Sequence, residues 1–245
     1  MKKWIYLSTH FDDVVLSAGG MVWEQTHKGD QAEIWTICAG DPPEGIPLSD
    51  YAQMLHGFWE LGDDVPRKRA LEDAACCKVL GASYRRYTIP DCIYRYVPGT
   101  DKPIVALPDD INAPLEPVES YLIAPVADFL RKNIPAGAEV VAPLTIGNHR
   151  DHCLTRKAAE RLGISLWHYV DYPYMIQKEY HLEEWVPADA KKLRIKVTPA
   201  GLKAWQDGFA KQHSQIILFW PDETEMRKAI EDYFNKGYGY TIYKF

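Results

Sequence analysis

Cysteine is scarce in this 245-residue chain: Cys38, Cys76, Cys77, Cys92 and Cys153 are odd in number and show no Cys-x-x-Cys spacing. That argues against both a disulfide framework and a thiolate zinc site, and it predicts reduced, mostly buried thiols. Long apolar runs are missing too. Stretches such as Ile216 to Trp220 fall far short of the roughly 20 residues that cross a bilayer, and Met1-Lys2-Lys3-Trp4-Ile5 enters a strand-like run instead of a signal peptide. A cytoplasmic chain without a membrane partner is expected. Lys plus Arg is 28 against 34 Asp plus Glu, a formal charge of −6. This is the wrong sign for gathering phosphates, so nucleic acid is not an expected partner. No Gly-x-Gly-x-x-Gly occurs, and Gly19-Gly20 lies inside a helix-length segment, where the pair is expected to allow close approach to a sheet.

What is present is the composition of an ordinary globular chain, 47% hydrophobic and 25% charged, and one domain over residues 1–245 is the expectation. The part from about residue 171 onward is the hardest to read. Trp4 to Ser8, Ala32 to Cys38, Tyr84 to Ile89, Glu139 to Ala142 and Ile164 to Val170 read as strands. Val14 to Lys28, Arg67 to Leu80, Leu115 to Lys132 and Asp151 to Leu162 read as the helices between them. Such alternation predicts an α/β fold of parallel βαβ units with helices on both faces of the sheet. Leu193 to Val197 reads as a further strand, Pro199 to about Phe219 and Asp222 to Asn235 as helices. Ala39 to Pro66 and Asp91 to Pro114 read as long functional connections.

Two constellations fall where strands end. Ser8-Thr9-His10-Phe11-Asp12-Asp13 follows the first strand, and His149-Arg150-Asp151-His152 follows the Val140-Val141-Ala142 strand and opens a helix. In open α/β sheets ligands bind beyond the carboxyl ends of strands, so these imidazoles and carboxylates are placed to meet in one crevice. Two His and one Asp with open positions is the usual make-up of a catalytic metal site. Each half also has a plain structural reading: Asp12 or Asp13 as a helix cap, and the histidine pair as a solvated helix start. His27, His56, His168, His181 and His213 have no comparable partners in the sequence.

Taken together, Ser8 to Gly20 and Asn148-His149-Arg150-Asp151-His152 resemble the LmbE-like, or PIG-L, family of zinc-dependent N-acetylglucosaminyl deacetylases. That family's motif is His-Pro-Asp-Asp-Glu followed later by His-x-x-His. Arg69-Ala-Leu-Glu72 is similar to its helical Arg-x-x-Glu, Leu80-Gly81 to the end of that helix, and Ser214-Gln215 to a feature of some members. The resemblance extends as far as Trp167. It implies a Rossmann-like, mostly parallel sheet and a metal held by His10, Asp13 and His152. Zn2+ is the implied ion, although Fe2+ or Co2+ also suits the donors. It further implies Asp12 as general base toward water acidified by the ion, His149 as acid or oxyanion stabiliser, and Asp151 orienting a histidine.

The implied partner is a small N-acetylated amino sugar or its conjugate, bound in part by Arg69 and Asp91, whose amide C–N bond is hydrolysed. Homo-oligomerisation is left open. Arg69 could equally pair with Glu72 at i, i+3, and Asp91 could be a turn residue. Trp59, Tyr94 and Tyr96 are candidate stacking platforms for the sugar, and Cys153 is expected to be packing. Phe11 stands where the family has Pro, Val14 where it has Glu, and Gly147-Asn148 where some members carry Tyr. A metal amidase for another acyl group and a noncatalytic sugar-binding protein are the alternative readings.

Overall fold

A computed structural model of the chain describes residues 1–115, 117–177 and 180–245. The first strand, β1 (Lys3–Ser8), is buried on both sides: Trp4 and Tyr6 face one hydrophobic cluster, Ile5 and Leu7 another. A strand apolar on both faces must lie between two layers of helices, and it does. Helices α1 (Asp13–His27), α3 (Val65–Val79), α7 (Pro199–Phe209) and α9 (Glu223–Asn235) supply the first layer. The second comes from α4 (Ile123–Asn133) and α5 (Arg150–Glu160). With β2 (Gln31–Thr36), β3 (Ser83–Arg86), β4 (Glu139–Pro143), β5 (Trp167–Tyr169), β6 (Lys191–Arg194) and β7 (Thr241–Lys244), one seven-stranded sheet runs in the order β3-β2-β1-β4-β5-β7-β6.

The pairings among β1 to β5 are parallel, while β7 runs antiparallel between β5 and β6. The expected α/β, mostly parallel architecture is therefore the observed one. Strand order reverses between β1 and β4, which opens a crevice at their carboxyl ends.

Several elements differ from the pattern reading. The helix expected from Leu115 begins only at Ile123, because Pro117 and Pro125 cannot donate within a helix and Pro125 fits only its first turn. The helix expected over Pro199 to Phe219 is two, α7 and α8 (His213–Phe219), interrupted where Gln212 takes φ −90°, ψ 62°. The connection Ala39 to Pro66 holds an unexpected helix, α2 (Asp50–Trp59), whose N-terminus is capped by Ser49 Oγ accepting from Ala52 N at 3.2 Å. Its apolar residues Tyr51, Ala52 and Trp59 join Cys92, Ile93, Tyr94 and Val105 in a third, smaller core above the sheet edge. Gly19 and Gly20 make room for α7 and not for the sheet: a Cβ on Gly19 would stand 2.5 Å from Trp205 Cδ1. Among the described residues no helix is long and apolar enough to cross a membrane. All five cysteines are free, and Cys153 is the half-buried one.

His168 on β5 is buried beneath the Phe245 ring, with centroids 4.7 Å apart. Burial, with help from Arg156, pushes its imidazole down from 6.5 to about 4. Folded His168 is thus neutral where the unfolded residue charges, so stability is retained above pH 6.5 and falls as pH drops toward 4, by about 3 kcal/mol. His168→Gln is expected to flatten that segment of a stability–pH curve from chemical denaturation; an unchanged slope would refute the assignment.

Candidate metal centre and active-site cavity

The turn after β1 is built to leave a carboxylate free. Ser8 Oγ accepts from Val14 N (3.2 Å) and donates to the His10 carbonyl (2.6 Å), while Asp13 Oδ2 accepts from His10 N (2.7 Å). Ser8 Oγ thus supplies the first-turn Val14 N with its acceptor, and Asp12 at the N-cap position of α1 makes no capping bond. The simple capping reading of Asp12 is thereby excluded.

The turn after β4 is strained by comparison: Thr145 and Asn148 have φ of 67° and 58°, a left-handed backbone that Gly147 between them adopts freely at 87°. A Cβ at Gly147 would approach Tyr174 Cδ1 to 2.8 Å. The space beside His149 is thus filled by Tyr174, from α6 (Tyr174–Gln177), and not by a tyrosine of the turn itself. His149 caps α5, its Nδ1 accepting from Asp151 N at 3.1 Å, which puts the ring proton of the neutral imidazole on Nε2.

Each remaining histidine is tied to a buried carboxylate by one nitrogen. His10 Nε2 lies 3.1 Å from Asp151 Oδ2, and His152 Nδ1 lies 2.8 Å from Asp171 Oδ1. Their other nitrogens converge on Asp13: His10 Nδ1 is 3.5 Å from Oδ2, and His152 Nε2 is 3.3 Å from Oδ1. His152 Nε2 is buried with no hydrogen bond of its own. An orphaned, inward-facing imidazole nitrogen beside a carboxylate is what a divalent cation needs, and His10, Asp13 and His152 offer donors within 4.8 Å of one another.

Two overlapping groups, His10–His149–Asp151 and Asp91–Cys92–Asp151, also bring their donor atoms within 4.8 Å of one another. They fit less well, because Asp151 already accepts from Cys92 N (2.9 Å) and from Arg95 Nη2. Burial also drives the Cys92 thiol well above its usual range. Cys153 belongs to none of these groups.

The electrostatics separate the two adjacent aspartates. Burial works against ionising either, but His152 and His10 hold Asp13 well below the usual carboxylate range. Burial and the neighbouring Asp13 push Asp12 up to about 6, against the pull of Arg69. Burial opposes the charging of His152, yet Asp13 and Asp171 raise it to about 10. Burial, followed by His10 and His152, drives His149 well below 6.5 and keeps it neutral.

Arg69 and Asp91 both reach this centre. Arg69 Nη2 is 3.5 Å from Asp12 Oδ1, Nη1 is 3.7 Å from Asp91 Oδ2, and the guanidinium lies 4.4 Å from the centroid of the Trp59 ring. The alternative pairing with Glu72 does not form. Glu72 instead accepts from Ser214 N (3.1 Å) and Ser214 Oγ (2.6 Å), clasping α8 to α3. Asp91 is a turn residue, its Oδ1 accepting from Ile93 N, and its Oδ2 faces His10 and Arg69. Phe11 lies beneath the guanidiniums of Arg69 and Arg86, and Val14 is core.

The stacking platforms come out differently. Trp59 lines the cavity, but Arg69 covers a face of its ring; Tyr94 bonds His56 Nε2 (2.7 Å), and Tyr96 donates to the Pro47 carbonyl (2.6 Å). Tyr51, Tyr172 and Tyr174 line the cavity instead. Its volume is about 350 Å³, and His10, Asp12, Asp13, Arg69, Asp91 and His149 contribute its charged and imidazole lining.

Asp171, Arg95 and Glu119 were not singled out in the sequence. Asp171 follows β5 and so obeys the strand-end rule that marked the other two clusters. Arg95 and Glu119 sit in irregular segments with no such signal. Asp171→Asn is expected to weaken metal binding about 10- to 100-fold, by loosening the bond that orients His152. Competition against a zinc chelator measures this, and unaltered affinity would exclude the role.

Fold and donor set together define a candidate metal centre of two histidines and a carboxylate at the switch point of a Rossmann-like sheet. A family model described as PIG-L, GlcNAc-PI de-N-acetylase, matches residues 5–163, and the chain belongs to this family. A curated relative, 2'-N-acetylparomamine deacetylase of Niallia circulans, is 28% identical over 207 residues, covering 75% of this chain and 71% of its own. Among solved structures, the zinc-inhibited form of teicoplanin deacetylase Orf2 is 25% identical with a TM-score of 0.79, covering 99% of this chain and 97% of that one. A deacetylase–teicoplanin complex is likewise 25% identical, with a TM-score of 0.80 over 99% of this chain and 98% of that one.

Proposed function

We propose that this chain is a metal-dependent N-deacetylase that hydrolyses the acetamide of an N-acetylglucosaminyl-type glycoconjugate. The observation that carries the reading is the convergence of His10 Nδ1, His152 Nε2 and Asp13 beside an Asp12 carboxylate that makes no capping bond and lines a cavity. Family membership and the named activities of the relatives support it.

In this reading His10, Asp13 and His152 hold the ion, Zn2+ first and Fe2+ or Co2+ with the same donors. When bound, it polarises the amide carbonyl and makes water easier to deprotonate. Asp12 takes the proton from the attacking water on Oδ2, since Arg69 is directed at Oδ1. His149 donates from Nε2 to the carbonyl oxygen as negative charge develops there, a role that suits a neutral imidazole. The C–N bond breaks as Asp12 returns the proton to the leaving amine, giving acetate and a free amino sugar. Arg69 and Asp91 hold sugar hydroxyls, and Asp151 and Asp171 keep the two histidines in register.

We further propose that the whole chain works as one domain, supported by β6 and β7 completing the same sheet as β1. Five free cysteines favour the cytoplasm.

The test is metal stoichiometry by elemental mass spectrometry, with acetate release from N-acetylglucosamine glycosides. One ion per chain and turnover in wild type, both lost in His152→Ala, is the expected result. Unchanged metal content in His152→Ala would overturn the donor assignment, and metal without acetate release from any N-acetylated sugar would overturn the activity.

A further inference from the structure

Resting on the deacetylase reading above, we infer that the apolar side of the cavity is a subsite for an apolar aglycone, an alkyl or aryl group carried by the amino sugar. The lining divides by origin. Its histidines and carboxylates come from the turns after β1 and β4 and from Asp91, and its guanidinium from α3, whereas an apolar wall is made by Leu55 of α2, Pro108 and Ile111 of the second long connection, and Leu218 and Phe219 of α8. The other polar groups of the lining are few: the carboxamides of Asn112 and Gln215 and the hydroxyls of three tyrosines. Gln215 already donates to Ser214 Oγ at 3.1 Å. A hydroxyl-rich aglycone pressed on this wall would give up water for few partners, which is unfavourable. An alkyl or aryl group gains affinity there, about fourfold for each methylene buried.

Leu55, Ile111 and Leu218 also pack against one cluster, the third core that contains Tyr51, Trp59, Ile93 and Tyr94, so these wall residues share one apolar support. The wall is also held in place. Glu72 clasps Ser214, and Gln212 Nε2 donates to the Phe11 carbonyl at 3.0 Å, so α8 is anchored to the segment that carries Asp12. Aglycone and reacting amide are therefore bound in a defined relation.

The experiment compares the methyl, hexyl and phenyl β-glycosides of N-acetylglucosamine with N,N'-diacetylchitobiose on zinc-loaded protein. A parallel arm titrates hexyl 2-amino-2-deoxy-β-glucoside into metal-free protein by calorimetry. In wild type, kcat/KM for the hexyl and phenyl glycosides is expected to exceed that for the methyl glycoside by about tenfold or more, and the disaccharide should gain nothing comparable. In Leu218→Ser, and separately in Leu55→Ser, the hexyl-to-methyl ratio should fall toward one and the calorimetric affinity should drop by a similar factor. Equal kcat/KM for all four substrates in wild type would overturn the subsite while leaving the deacetylase reading intact. Saturable hexyl binding that weakens in both variants, without hydrolysis of any glycoside, would uphold the subsite and overturn the deacetylase reading.

Discussion

Replacing Asp12 by asparagine is expected to lower kcat by about 10²- to 10⁴-fold, the range usual for loss of a general base, with fold and metal content retained. The retention follows from local structure. Asp12 makes no capping bond, its carboxylate lines the cavity, the acceptor at the start of α1 is Ser8 Oγ, and Asp13 holds the preceding turn by accepting from His10 N. Asparagine keeps the shape but cannot take a proton at neutral pH. The pH profile supplies a second reading. Burial and Asp13 hold Asp12 near 6 in the metal-free chain, and the base works only when ionised, so wild-type kcat/KM should show an acid limb with about 6 as its upper bound. A cation beside Asp13 moves that limb to lower pH and never to higher. The residual activity of Asp12→Asn should lack the limb. Turnover close to wild type in Asp12→Asn would remove Asp12 as the base, and metal loss in the variant would move it among the donors.

Glu119→Ala is expected to destabilise the metal-free protein by about 3 to 5 kcal/mol, the usual cost of removing one partner from a buried ionic network. For a chain of this size that lowers Tm by about 10 °C. Glu119 is 1% exposed and joins Arg95 Nε (2.6 Å) and Arg150 Nε (3.4 Å), and Arg95 in turn binds Asp151. Its removal leaves two buried guanidiniums short of a counter-charge. The loss should reach the metal centre, because Asp151 is the carboxylate that orients His10. Thermal unfolding of the metal-free variant and chelator competition on the loaded one measure the two effects. Glu119→Gln, which keeps the acceptor oxygen but not the charge, should fall between. A Tm within two degrees of wild type in Glu119→Ala would show that the network carries little stability.

The fold was legible wherever local periodicity and burial agree. β1, α1, β2, α3, β4 and α5 could be read because short apolar runs, or stretches of strong helix formers, end at glycine or a polar turn. The C-terminal third was less legible for identifiable reasons. Gln212 carries no breaker signal, yet its side chain bonds the Phe11 carbonyl across the molecule and splits one apparent helix into two. β7 is short and is recruited between β5 and β6 by pairing that no local pattern encodes. α2 hides in a connection of loop-like composition, and burial of its Tyr51, Ala52 and Trp59 against Ile93 and Tyr94 holds it there.

The same division runs through the candidate site. By itself the sequence determined the chemistry available: His10, Asp12 and Asp13 after one strand, and His149, Asp151 and His152 after another, could be placed in one crevice because strand ends in an open α/β sheet share one. The tertiary structure decided which atom of each does what. Asp151 and Asp171 take one nitrogen of His10 and of His152, so the other nitrogens face Asp13. Arg69 turns to Asp12 because Glu72 is engaged by Ser214, 142 positions away. Such partnerships depend on distances between segments far apart in the chain, which only the packed fold sets.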